Sequence, residues 1–486
     1  MLSRDVAYWS ASRLVGAIQK GDISAQDALE GFLSRLEDHN TAVNALITFD
    51  IDTARQRARD ADAARARGET LRPLHGVPMT VKESFNVMGM PTTWGLAEHR
   101  DNIPASNAKA VERLVNAGAN IFAKSNVPAF LADWETFNEV YGTTSNPWDL
   151  KRSPGGSSGG AAAALAAGLT SLELGSDIGG SIRNPAHYCG VYGHKPTYGI
   201  VSPQGHALPG RVSLADISVI GPLARSTDDL KLAMSIIAGP DDIDGRGWQL
   251  NLKPPVKTQW RDFRIAVVLS DPVAEVTSEI QESIQALADF AANKGAHVNN
   301  RARPNIEMAE IDALYISLLR AATSSRQSDE AFALNRQRAE TLPLDDQSYF
   351  ARMARGNTLS HRGWLAANER RHQLRLEWAR FFENYDILLC PAAATTAMKH
   401  DQQGERYERR IQVNDSEQPP TTQMFWSGYS GVAYLPSTVA PIGLGQGQLP
   451  IGVQIVGPQY DDLTCIQFAA LIERDFHAFA PPPKYV

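Results

Sequence analysis

The sequence predicts an α/β fold, and three observations carry that prediction. From residue 76 onward, short apolar runs such as Ile121-Phe122-Ala123 and Leu172-Glu173-Leu174 alternate with helical patterns such as residues 108–117. The same texture resumes at Ile265-Ala266-Val267-Val268, passes through a helical pattern at residues 278–294 and returns at Ile387-Leu388-Leu389, so the sheet is expected to draw strands from both halves of the chain. With 486 residues, 43% of them hydrophobic, the chain is long enough to bury a large core in one domain or two.

The opening segment places Arg4 and Asp5 ahead of any apolar run, the wrong order for a secretory signal, and mature protein is expected. Residues 1–70 read as helices, because Leu29, Phe32, Leu33 and Leu36 recur at helical spacing behind Ser24-x-x-Asp27, a capping-box pattern. Residues 54–67, rich in Arg, Asp and Ala, read as a solvated helix rather than a ligand site. Residues 239–260 and 395–422 are polar and rich in Gly, Pro, Asp and Gln, and read as surface loops. No internal repeat occurs.

Composition excludes several function classes. The longest candidate for a membrane span, residues 161–169, falls well short of the roughly 18 to 20 apolar residues a span requires, so no membrane partner is expected. Charged residues make up 21% and the formal net charge is −7, which lacks the basic footprint of a nucleic-acid binder, so no nucleic acid is expected either. Cys189, Cys390 and Cys465 stand alone, leaving no disulfide framework or paired metal site and fitting a cytoplasmic location.

Two glycine-serine stretches carry the chemistry. In Ser153-Pro154-Gly155-Gly156-Ser157-Ser158-Gly159-Gly160 the glycines let the backbone approach a reacting group closely; taken alone, the stretch is equally a flexible loop. In Ser176-Asp177-Ile178-Gly179-Gly180-Ser181-Ile182-Arg183-Asn184-Pro185 an apolar run breaks into a glycine turn ending on a serine. Consecutive N–H groups there can face one space and hold an oxyanion, while Ser181 attacks the same carbonyl; a tight turn with a structural serine is the alternative. A serine needs a base. Among eleven histidines, His187 and His194 follow Ser181 but read as packed or surface residues. Lys82 ends the apolar run Val77-Pro78-Met79-Thr80-Val81; burial there favours the neutral amine and makes it a candidate base.

Together Lys82, residues 155–160 and residues 177–183 resemble the amidase signature family, most strongly over residues 70–240, with a weaker match at Leu449-Pro450-Ile451-Gly452-Val453-Gln454-Ile455-Val456-Gly457. The resemblance implies a single domain over 1–486. In it a helical segment, 1–70, packs on the core, 70–240 carries the signature, and 241–486 completes the sheet and substrate pocket. The implied fold is a large mixed, mostly parallel sheet covered on both faces by helices. The implied roles are Lys82 as neutral base, Ser157 as bridging serine after a cis peptide from Gly156, and Ser181 as nucleophile. The N–H groups of Ile178, Gly179, Gly180 and Ser181 would form the oxyanion hole, with Ser158, Asp177 and Arg183 in support.

The activity implied is hydrolysis of a carboxylic amide without cofactor or metal, on small to medium uncharged amides, aryl amides included, with esters or carbamates as side substrates. Trp94, Trp134, Tyr141, Trp426 and Tyr429 are candidate pocket residues, core packing being the alternative. A homodimer is left open. Three other readings compete. An α/β-hydrolase elbow would use Ser158 in Gly156-Ser157-Ser158-Gly159-Gly160, but the polar segment 149–154 replaces the buried strand such an elbow follows. A glutaminase subunit of a tRNA-dependent amidotransferase shares the family core, yet typically has Thr and Gln where this chain has Ile178 and Asn184. The third reading is an inactive scaffold. Gly443-Leu444-Gly445-Gln446-Gly447 and Asp241-Asp242-Ile243-Asp244-Gly245 read as turns rather than nucleotide or calcium sites.

Overall fold

The computed structural model describes residues 6–486, so Arg4 and Asp5 lie outside the described residues. Eleven strands form the main sheet. In chain order they are β1 Leu46–Phe49, β2 Pro78–Lys82, β3 Asn120–Ser125, β4 Leu172–Asp177, β5 Tyr192–Lys195 and β6 Val219–Ala224. The second half adds β7 Arg264–Val267, β8 His297–Asn299, β9 Ile387–Pro391, β10 Ser437–Leu444 and β11 Pro450–Val456. Their spatial order is β1-β3-β2-β4-β6-β5-β10-β11-β9-β7-β8, so both halves of the chain share one sheet.

The sheet is mixed, but not mostly parallel as expected. Parallel ladders occupy the two flanks, β3-β2-β4 and β9-β7-β8. The other six pairings are antiparallel. The reason is local in part: β10 and β11 follow each other across a short connection, and a hairpin permits only antiparallel pairing. Every residue of β2, β3, β4, β6, β9 and β11 is buried, which requires helices over both faces of the sheet.

Local chemistry accounts for the helices. Ser24 caps helix Ala25–Val43, its Oγ accepting from the Asp27 N–H at 2.9 Å, and Leu29, Phe32 and Leu33 are buried. Helix Ile51–Ala66 buries only Ala54 and Ala58 and is otherwise a solvated helix. Helices Gly159–Ala166 and Arg183–Cys189 are buried at every residue and carry the two glycine-serine stretches at their N-terminal ends. No helix among the described residues is long and apolar enough to cross a membrane.

One loop expectation needs correction. Residues 395–422 contain a hairpin, Ile411–Val413 against Ser416–Gln418, and bury Ala397, Arg409, Ile411 and Val413. The apolar side chains of Ile411 and Val413 alternate along the hairpin and seat it on Ala394.

Candidate active site

Lys82 ends β2 fully buried, and its Nζ meets hydroxyls rather than carboxylates. Ser157 Oγ lies at 2.7 Å, Ser158 Oγ at 3.0 Å and Ser176 Oγ at 3.0 Å. Burial lowers the Lys82 amine from its ordinary range to about 7, opposed by the charges of Asp177 and Glu173 and assisted by that of Arg326. Glu173 is itself buried and pushed up to about 8, although the Thr80 hydroxyl donates to it at 2.6 Å.

The hydrogens available around Lys82 narrow which serine can exchange a proton with it. An ammonium donates to all three hydroxyls, whereas a neutral amine has two N–H groups and a lone pair, so one hydroxyl must then donate to it. The Ser158 hydroxyl donates to the Ser176 carbonyl at 3.3 Å, which leaves its oxygen as an acceptor from Lys82. Ser157 and Ser176 both remain free to take the donor role, and Ser157 lies nearer, at 2.7 Å against 3.0 Å.

The turn after β4 is fixed by its own carboxylate and by neighbours from afar. Asp177 Oδ1 accepts from the Gly180 N–H at 2.9 Å, and Oδ2 from the Ile182 N–H at 3.0 Å. Arg183 clamps the same carboxylate through Nε at 3.0 Å and Nη2 at 2.9 Å. Burial alone would raise the Asp177 carboxyl, but Arg183 and the Ile182 N–H hold it well below the usual range. Tyr315 donates to the Ile178 carbonyl at 2.9 Å, Trp134 to the Gly179 carbonyl at 2.8 Å, and the Asn184 N–H to the Gly180 carbonyl at 2.7 Å. In a trans peptide the C=O and the next N–H point oppositely, so these anchors turn the Gly179 and Ser181 N–H groups the other way. The Gly180 N–H is already taken by Asp177, which removes it from the four donors expected; Ile178, Gly179 and Ser181 remain.

The Gly156–Ser157 peptide is cis. The Ser158 N–H donates to the Ser181 carbonyl at 3.1 Å, fastening the two glycine-serine stretches together. Ser181 Oγ makes no hydrogen bond among the described residues, so the structure joins Lys82 to Ser157 but not Ser157 to Ser181. Ser181 instead lines a cavity of about 480 Å³ with Ile178, Gly179, Trp134, Phe130 and Met424.

Of the five aromatic residues proposed for the pocket, Trp134 lines this cavity and four do not. Trp426 and Tyr429 sit on helix Met424–Gly431 with their rings turned into the core, against Phe425 and, for Tyr429, Trp378. Met424 of the same helix reaches the cavity instead. Trp94 is buried with Leu96 and Leu208, and Tyr141 lies beside Glu83. Sequence reading missed Tyr315, Met424 and Ser176; only Ser176, within the second stretch, had a local signal. Ser158, the elbow candidate, is buried and does not line the cavity, and residues 149–157 just before it form no strand. Among the described residues no three His, Cys, Asp or Glu side chains cluster to hold a metal ion.

The Amidase family model matches residues 27–466, and the chain belongs to that family. It is 31% identical to a glutamyl-tRNA(Gln) amidotransferase subunit from Moorella thermoacetica, in an alignment covering 98% of this chain and 99% of the relative. Indoleacetamide hydrolase of Bradyrhizobium diazoefficiens is also 31% identical, over 96% of this chain and 87% of the relative. Among solved structures, a chain from a vestigial complex tied to the origins of an s-triazine catabolic enzyme superposes with a TM-score of 0.80 at 29% identity, covering 97% of this chain and all of that one (100%). A bacterial aryl acylamidase of the amidase signature enzymes shares the fold with a TM-score of 0.82 at 24% identity, covering 99% and 98% of the two chains.

Proposed function

We propose that this chain hydrolyses a carboxylic amide C–N bond through an acyl-enzyme on Ser181, with Ser157 and Lys82 as its proton relay. The observation that carries this reading is a buried lysine near neutrality, 2.7 Å from a serine hydroxyl and tied through the adjoining backbone to the serine that opens on the cavity.

In the first half-reaction Ser181 Oγ bonds to the amide carbonyl carbon. Its proton passes to Ser157 Oγ as the Ser157 proton moves to Lys82 Nζ. Negative charge gathers on the carbonyl oxygen, where the N–H groups of Ile178, Gly179 and Ser181 stabilise it. The C–N bond breaks as the relay returns a proton to nitrogen, releasing amine or ammonia. Water then attacks the Ser181 ester, the relay carries its proton back to Ser181 Oγ, and the carboxylic acid departs. The scheme requires Ser181 Oγ to close on Ser157 Oγ once substrate is seated; such contacts commonly tighten only in the reactive complex. Esters and carbamates present the same carbonyl and are side substrates of this nucleophile.

A second reading, the glutaminase subunit of a tRNA-dependent amidotransferase, is favoured by 31% identity to such a subunit over nearly the whole chain. Ile178 and Asn184 count against it. The test is a panel of amides, anilides, esters and carbamates assayed on the purified chain alone. Hydrolysis that disappears in Ser181→Ala is the expected result. Undiminished activity in Ser181→Ala overturns the acyl-enzyme, and a chain inert until a partner is added supports the second reading.

A further inference from the structure

The cavity onto which Ser181 opens has a charge bias that the serines do not explain. Arg320, Arg326 and Arg406 all line it, each half-buried. None of the three forms an ion pair among the described residues. Arg320 and Arg406 converge instead on one neutral oxygen, the Tyr349 hydroxyl, Arg406 at 3.2 Å, and Arg406 also donates to the Ala132 carbonyl. Arg326 lies over the Trp94 ring, 5.2 Å from its centroid, and donates to the Phe130 carbonyl at 3.3 Å. Arg320 Nε is buried without a partner.

The single acid in the lining, Asp133, is engaged by Arg409 at 2.8 Å. Asp133 and Glu405 act on Arg406 only through space. Two guanidinium groups sharing one phenol oxygen repel each other, and the repulsion is strengthened where water is scarce. Burial and the neighbouring Arg406 push Arg320 well below its ordinary range, and burial followed by Arg211 lowers Arg326 to about 10. The Arg320–Arg406 pair is relieved by an anion placed beside it, and Arg326 lines the same cavity. A planar carboxylate matches the guanidinium fork. The wall also carries the apolar Phe130, Leu131, Trp134, Leu319 and Met424, together with the polar Thr323, Gln327, Ser328 and Asn357.

We propose that Arg320, Arg326 and Arg406 form a carboxylate subsite, so that the amide cleaved at Ser181 bears a carboxylate separated from the scissile bond by an apolar segment. The inference rests on the amide-hydrolase reading of Ser181 and replaces the uncharged substrate expected from sequence. The carboxylate belongs either to the acyl part, as in a half-amide of a dicarboxylic acid, or to the amine part, as in an N-acyl amino acid.

Two isosteric pairs separate these cases. Succinamate is compared with 4-methylpentanamide, and N-acetylglycine with N-isobutylacetamide, by kcat/KM on the purified chain. The carboxylate member of one pair is expected to be preferred by at least tenfold, and the pair that responds locates the anion. That preference is expected to fall roughly 10- to 100-fold in Arg326→Gln and Arg406→Gln, the size of a lost charge-assisted hydrogen bond, with partial recovery in Arg326→Lys. Succinate binding, measured by calorimetry, is expected to weaken about as much in the same glutamine variants.

Ser181-dependent hydrolysis without carboxylate preference in either pair overturns the subsite and leaves the amide-hydrolase reading standing. Succinate bound equally by the wild type and both variants also overturns the subsite. Succinate binding that is lost in the variants, with no Ser181-dependent hydrolysis of any amide, supports the subsite and overturns the reaction.

Discussion

At the scale of single residues, the proposed relay makes Lys82 the group that sets how the site answers to pH. Only the neutral amine can accept a proton, and with its pKa lowered to about 7 the reactive fraction grows as pH rises. We expect kcat/KM to climb about tenfold per pH unit below neutrality and to level off above about 7. Lys82→Arg keeps the charge at every accessible pH and is expected to remove the activity throughout the profile. A wild-type limb lying instead near the ordinary lysine range would contradict a desolvated base. The proposed relay residues Lys82, Ser157 and Ser181 stand out in the sequence because each lies in a local pattern, an apolar strand ending in lysine or a glycine-rich turn ending in serine. Tyr315 does not, since it reaches Ile178 across 137 residues and sits in an ordinary helical pattern. The cavity arginines were hidden for the same reason. A window of sequence gives a residue's own surroundings but not which distant element packs over it.

At the scale of elements, the turn between β4 and helix Arg183–Cys189 does the positioning. Gly180 has φ +94°, and a Cβ added there would lie 2.3 Å from Ser427 Oγ and 3.1 Å from the Trp134 ring. Gly180→Ala is therefore expected to displace the turn and lower kcat by roughly 100-fold or more, the effect of losing an oxyanion donor. Gly199→Ala is the control. Gly199 also has positive φ, +86°, but an added Cβ there meets nothing within 4 Å, so it should cost only about 1 to 2 kcal/mol of backbone strain. Equal loss of kcat in both variants would refute the steric argument. The sequence announced a turn rich in N–H donors. It did not reveal that Asp177 consumes the Gly180 donor, because that depends on how the carboxylate folds back over its own turn.

At the scale of the whole molecule, the two glycine-serine stretches lie in the first half of the chain but are locked by the second. Arg183 Nη1 donates to the Ser427 carbonyl at 2.9 Å, Ser430 Oγ at 2.9 Å and Gln454 Oε1 at 2.7 Å. β5 pairs directly with β10, so removing the second half exposes a buried central edge. A fragment of residues 1–240 contains Lys82, Ser157 and Ser181, yet is expected to be protease-labile and inactive. Limited proteolysis and an amide assay on that fragment, with residues 241–486 co-expressed as the comparison, check this; an active isolated fragment would contradict it. The sequence indicated that both halves build one layered α/β core. Strand order and direction were beyond it, because apolar runs report burial without naming their neighbours.

The Arg183 clamp also has a consequence for biosynthesis. Ribosomes deliver the proposed nucleophile hundreds of residues before Gln454, so a nascent polypeptide already displays Ser181 while the side chains that brace its turn are still untranslated. Under the proposed reaction, competence therefore waits until Gln454 has been translated, and a product stopped before it is expected to be chemically silent.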